Sequence, residues 1–180
     1  MNEAPDLAHQ SFIARVPVWI RPCRAEDLPE LEWCGTYREH RAIAERTFAA
    51  TQAGTQRMWV ADVGGFPIGQ VWLDLARDRL WAARVFPAMR GRGIGSRLAR
   101  IAERELVARF RSTATVAVEV ANSAALRFWM HEGYRVADLV HEAWSYVTPD
   151  GVPVEVQSSL QVLGKDLTEV TLARNPLDRW

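Results

Sequence analysis

The stretch "RGRGIGSRL" (residues 90–98) packs three glycines and three arginines into nine residues. It limits the architectures open to this chain more than any other segment. Upstream, "RLWAARVF" (79–86) has the composition of a strand. Downstream, Ile94, Leu98, Ile101 and Ala102 share one helical face while Arg97, Arg100 and Arg104 share another, so a helix is expected to about Phe110. Beyond it, "TATVAVEV" (113–120) is β-branched with almost no polar interruption and reads as a strand buried on both faces. Strand, helix, strand in that order demands a parallel pair joined by a right-handed crossover. Glycine is a poor helix former, so a helix opening in such a run is expected to exploit the backbone N–H groups that glycine leaves bare.

Antiparallel signals surround the crossover. "VWIRPC" (18–23) reads as a first strand, with helices expected over 26–34, near Pro29, and over 37–52, stopped near Gly54. Segments 57–65 and 66–76 form a hairpin across Gly64-Gly65. Asn122 or Ser123 can cap a helix through Glu132, with Gly133 as its stop. "YRVADLVHEAWSYV" and "VPVEVQSSLQVLG" flank the turn "TPDG". The expected class is α/β (α+β): a mixed, mostly antiparallel, twisted sheet of about seven strands flanked by helices. One domain over 1–180 is expected, with 1–16 as a flexible tail.

The formal net charge is zero, so nothing global argues for nucleic acid or an anionic membrane, and neither is expected as a partner. No apolar run approaches the roughly 18 residues of a membrane span. "MNEAPDLAHQ" has no apolar core of a signal peptide, so a cytoplasmic location is expected. Cys23 and Cys34 are the only cysteines and suggest neither a disulfide framework nor a metal site. Charge is nevertheless uneven: eight arginines between 84 and 111 stand against Glu103 and Glu105, a local +6 within a neutral chain. Such a distribution suits a protein that holds an anion in one place and a cation in another.

A helix N-terminus bearing free N–H groups is a site for phosphate. The run lacks the lysine of a Walker loop, and Gly91-x-Gly93-x-x-Ser96 misses the last small apolar position of a dinucleotide fingerprint. It does satisfy R-x-x-G-x-G through Arg90, Gly93 and Gly95, preceded by "VFPAM". "VFPAMRGRGIGSRLARIAERE" resembles the acetyl-coenzyme A motif of the GNAT superfamily of N-acetyltransferases. "VEVANSAALRFWMHEGYRV" (118–136) resembles that family's next motif, with Asn122, Ala125, Phe128, Gly133 and Tyr134 at its marked positions.

The resemblance implies an enzyme that moves acetyl from acetyl-CoA, without a metal, to a primary amine by direct attack. Arg90, Gly91, Arg92, Gly93, Ile94, Gly95 and Ser96 would hold the pyrophosphate. Val85 and Phe86, at the strand end, would meet the pantetheine amides and the thioester carbonyl. Asn122, Ala125 and Phe128 would flank the pantetheine arm. Trp129 stands where the family often has a tyrosine acid; an indole N–H is no useful acid, so the resemblance implies packing there, with Tyr134 or Tyr146 as substitute acids through a water. His131 points about 160° away from Trp129 around the helix. The amine must lose a proton, and Glu119 is the expected base, ahead of Asp74 and Glu142.

The acceptor is expected to be a small molecule (a cationic amine, aminoglycoside-like or polyamine-like, or an amino acid) or a protein N-terminus. Most tryptophans belong to the core, while some could join Tyr37 around an acceptor pocket. Hairpin 138–162 is open to two roles, a homodimer contact or a lid. Two other readings stand beside the enzyme: a non-catalytic acyl-CoA-binding sensor, and a nucleotide-binding oxidoreductase domain.

Overall fold

A computed structural model describes residues 15–33, 40–147 and 151–168. Cys34, Tyr37 and most of the "TPDG" turn lie outside the described residues, as does the side chain of Tyr146. The strands are β1 (Trp19–Pro22), β2 (Gln56–Val63), β3 (Phe66–Asp74), β4 (Arg79–Val85), β5 (Thr113–Glu119), β6 (Arg135–Val147) and β7 (Pro153–Asp166). The helices are α1 (Arg41–Gln52), α2 (Ile94–Ala108) and α3 (Ser123–His131). The seven strands form one sheet in the order β1-β2-β3-β4-β5-β7-β6, antiparallel throughout except between β4 and β5.

β3 is buried along nearly its whole length because both faces are covered. Val71 and Leu73 face α2 through Leu98, Ala102 and Leu106, while Trp72 turns the other way to Leu31, Ala44, Met58 and Val60. A Cβ on Gly69 would lie 3.0 Å from Leu98 Cδ1 and 3.2 Å from Ile94 Cγ2. The missing side chain at Gly69 therefore lets the first turn of α2 settle directly on the sheet.

Two expectations require correction. Where a helix over 26–34 is expected, the described residues to Trp33 form not an α-helix but two 3₁₀ turns, Ala25–Asp27 and Glu30–Glu32. Pro29 precedes the second turn and has no N–H to carry a helical ladder across it, and Trp33 ends the segment in the left-handed region at φ 45°. β5 is not buried equally on both faces. Ala114, Val116 and Val118 are buried, but Thr115 and Ala117 are half-buried and Glu119 is exposed, because α1 packs against the β2 side of the sheet and leaves that face of β5 open.

Two polar clusters fasten the periphery. Arg21 grips Asp27 with both guanidinium nitrogens at 2.6 and 2.8 Å and reaches Asp62 at 2.6 Å, tying the 3₁₀ segment to β2. Burial works against the Asp27 carboxylate, but Arg21 and the Arg24 N–H outweigh it and hold its pKa below the ordinary value. On the far side of α2, the chain's only lysine, Lys165, contacts both oxygens of fully buried Glu103 at 2.8 and 2.9 Å. Tyr134 also donates to Glu103, at 3.1 Å. Burial first, then the Glu103 charge, pushes the Tyr134 phenol far above its usual range.

Lys165→Met should destabilise the fold by about 3 kcal/mol, since it strands a buried carboxylate; denaturant midpoints measure this. Asp27→Asn should lower the midpoint at pH 7. Because the folded-state pKa is depressed, this contribution is present above about pH 4 and is lost as pH falls through the folded value. The gap between variant and wild type should therefore close in acid.

Candidate active site

The parallel pair β4–β5 is held by only two register pairs, Arg79 with Thr115 and Leu80 with Val116. Beyond them the strands part. β5 stays with β7 along all of Thr113–Glu119, whereas β4 follows β3. A bulge helps it do so: Gln70 faces Arg84 and Trp72 faces Trp81, so Ala82 and Ala83 together oppose Val71. Ala82 sits at φ 47°, the local cost of that bend. Past the bulge, the Phe86 N–H donates to the Ile68 carbonyl at 2.8 Å. Antiparallel alternation then turns the N–H and C=O of Val85 away from β3, into the opening. Of the two strand-end residues expected to meet a thioester, Val85 is the one whose N–H faces the gap.

At the mouth of the gap, a 3₁₀ turn (Pro87–Met89) leads into the glycine run. Gly91 and Gly93 adopt φ 73° and 75°, and nothing lies within 4 Å of where a Cβ would stand. Gly93 caps α2 with no side-chain hydrogen bond. The first helical bond is Arg97 N–H to the Gly93 carbonyl, which leaves the N–H groups of Ile94, Gly95 and Ser96 without helical partners.

Two arginines of the run fold their side chains back on the loop. Arg90 Nε donates to the Val85 carbonyl at 3.1 Å, and Arg92 donates to the carbonyls of Ala88 and Arg90 at 2.6 and 3.2 Å. Both guanidiniums brace the loop.

α3 closes the opposite wall. Its N-cap is Asn122, whose side-chain oxygen accepts from the Ala125 N–H at 3.0 Å. The Phe128 ring lies 3.3 Å from where a Gly95 Cβ would stand, with Val85 Cγ2 at 3.8 Å. Gly95 thus lets helix α2, helix α3 and the end of β4 converge. Ser96 Oγ donates to Glu132 at 2.5 Å, pinning the two helices together. Ala125 and Phe128 are half-buried at the core edge. Trp129 is 5% exposed, with its ring edge-on between Phe128 and Tyr134 at 5.0 Å from each. It stands behind the wall, not on it.

Among the three expected carboxylates, Glu119 lies exposed at the end of β5, within 3.3 Å of the Ser158 hydroxyl on β7. Glu142 on β6 faces Ser158 in register and pairs with Arg79 at 3.9 Å. Asp74 is not brought to this group; it caps Ala76 and Arg77 in the turn after β3. Tyr134 is sealed against Glu103 with no exposed surface, so it has no route to a leaving thiolate.

Sequence reasoning missed Ser158, although "QSS" interrupting an apolar strand was a visible signal. It also missed an aromatic corner at the end of β4, where Phe86 meets Trp33 and Phe66 edge-on at 5.8 and 6.3 Å. That corner joins residues far apart in the chain and has no local signature. Among the described residues no three His, Cys, Asp or Glu side chains are placed to hold a metal, and no helix is long and apolar enough to cross a membrane.

An open strand edge beside an uncapped, glycine-lined helix N-terminus fits a molecule with amides at one end and a pyrophosphate at the other. The acetyltransferase (GNAT) family model matches residues 23–134, more than half of the sequence. The chain belongs to the GNAT acetyltransferase family. It is an acetyl-CoA-dependent acetyltransferase.

Solved structures share the fold. An N-acetyltransferase from Staphylococcus aureus Mu50 superposes with a TM-score of 0.65 at 16% identity, over 84% of this chain and 99% of that one. A GNAT family acetyltransferase from Elizabethkingia anophelis with acetyl-CoA bound gives 0.59 at 14%, over 83% and 98%. The ribosomal-protein-S18-alanine N-acetyltransferase from Escherichia coli gives 0.62 at 20%, over 89% and 99%. No curated protein matches the sequence significantly.

Gly93→Val in this acetyltransferase should weaken coenzyme A binding at least about tenfold in calorimetry, because a β-branched residue is strained at that φ and its side chain shields the N–H groups.

Proposed function

We propose that the chain is an N-acetyltransferase whose acceptor is a primary amine, with Glu119 as the base. The observation that carries this reading is the position of Glu119 and Val85 on the two walls of one opening, β5 and β4, beside the bare N-terminus of α2. Acetyl-CoA, when bound, supplies an acetyl carbonyl activated as a thioester. The first-turn N–H groups of α2 and the Gly91–Gly93 backbone hold the pyrophosphate, with Arg90 and Arg92 shaping the loop. The Ser96 hydroxyl is committed to Glu132, so Ser96 contributes its N–H. Val85 offers its N–H to the acyl oxygen, where a fixed donor acts most strongly. Ala125 and Phe128 wall the pantetheine arm, and Trp129 supports the Phe128 ring from behind.

Glu119 removes one proton from the acceptor ammonium. The N–H bond breaks, an O–H forms on the carboxylate, and the freed lone pair attacks the acyl carbon; as the adduct collapses the C–S bond breaks, the thiolate departs, and the nitrogen's second proton passes to the thiolate or to water. Trp129 supplies no proton to the departing thiolate. A thiol with a pKa near ~8.5 is a tolerable leaving group without one.

Glu119 shares its sheet face with Glu142 and Asp138, as the register of β5, β7 and β6 requires. Arg79, paired with Glu142, and Arg135 lie on the same face, so three carboxylates there stand against two arginines and a cationic acceptor would meet Glu119 and Asp138. Cationic small amines, amino acids and protein N-termini remain the acceptor classes, and the protein substrate in the name of the Escherichia coli neighbour supports keeping the last. β6 and β7 bring Glu142 and Ser158 to this face, so the 138–162 hairpin serves as a wall of the acceptor side.

Thiol release from acetyl-CoA across an amine panel tests the assignment. Glu119→Gln should lower kcat by roughly 10²–10⁴-fold with acetyl-CoA affinity retained. Tight cofactor binding with no turnover on any amine would instead identify a non-catalytic acyl-CoA-binding module.

A further inference from the structure

We infer that Ser158 is a positioning residue that holds Glu119 in its proton-accepting geometry. The inference rests on the reading of Glu119 as base. Glu119 is the last residue of β5 and is exposed, so its side chain has rotameric freedom that a base acting on a bound amine cannot keep. Ser158 sits on the neighbouring strand β7 with only 8% of its surface exposed. The pairing of Glu119 with Leu160 places Ser158 two residues along β7 on the same face. Its hydroxyl donates to Glu119 Oε1 at 3.3 Å.

That bond engages one carboxylate oxygen and leaves Oε2 to take the proton from the acceptor nitrogen. The backbone around Glu119 is held as well. Its carbonyl accepts from the Asn122 N–H at 2.8 Å, and the next residue, Val120, donates its N–H to the Ser159 carbonyl at 3.0 Å. With the main chain anchored, the side chain is the remaining freedom, and Ser158 restrains it. Glu142 lies opposite Ser158 in register and is itself paired with Arg79.

A double-mutant cycle tests this, with kcat, acetyl-CoA KM and thermal midpoint measured for each protein. Ser158→Ala should lower kcat about tenfold while acetyl-CoA KM and the thermal midpoint hold. Ser158→Thr keeps the hydroxyl on a side chain suited to a strand and should retain activity within about threefold of wild type. In the Glu119→Gln background, Ser158→Ala should add no further loss, because its effect passes through Glu119. An unchanged kcat in Ser158→Ala overturns the inference, as does an equal loss in both backgrounds. Should Ser158→Ala fold poorly, Ser158→Cys takes its place in the cycle. Wild-type activity in Glu119→Gln would remove the base assignment itself, an outcome separable from failure of Ser158 alone.

Discussion

β4 and β5 run parallel for two register pairs and then separate, and the opening beside the N-terminus of α2 depends on that separation. A parallel pair ordinarily continues until its strands end. Here β4 is drawn toward β3 by the bulge at Ala82 and Ala83 and by the Phe86 to Ile68 hydrogen bond, while β5 stays with β7. The facing edges therefore lose their partners inside the fold, and unpartnered backbone groups are costly unless something meets them. Val85 presents such groups to the opening. In this structure Arg90 satisfies its carbonyl.

The second constraint is the seat of α2. Its first turn lies close to β3 at Gly69 and close to α3 at Gly95, where a Cβ would press on Leu98 and on the Phe128 ring. Those two small residues set the height and tilt of a helix whose N-terminal amides must face the gap. The glycines inside the loop act differently: Gly91 and Gly93 sit in left-handed backbone with open space around them. One motif thus holds two glycines in open left-handed backbone and one, Gly95, in a packing contact, and spacing alone does not separate them.

Charge is spent more on architecture than the composition suggests. Arg90 and Arg92 bond to loop carbonyls, Arg21 holds two carboxylates at the sheet edge, and the lone lysine neutralises Glu103 beneath α2. The local excess of arginine was legible in the sequence, but which arginines fold back on loop carbonyls was not. An arginine side chain is long enough to fold back on its own loop, and only neighbouring carbonyl positions decide whether it does. Trp129 follows the same logic. Its place in the motif was visible, but its burial between Phe128 and Tyr134 depends on how α3 rolls against the core.

The sequence by itself determined the succession of strands, the hairpins, the crossover and the helix that opens at the glycine run, because turns, caps and side-chain periodicity are local properties of the chain. It overreached at 26–34, where Pro29 broke the expected helix into 3₁₀ turns, and at β5, whose open face depends on where α1 lands. Tertiary structure alone decided that Val85 and not Phe86 turns its N–H into the gap, and that Ser158 lies against Glu119 while Asp74 does not. Those outcomes follow from strand register and a one-residue bulge. Both are set by contacts between segments tens of residues apart, and no local pattern encodes them.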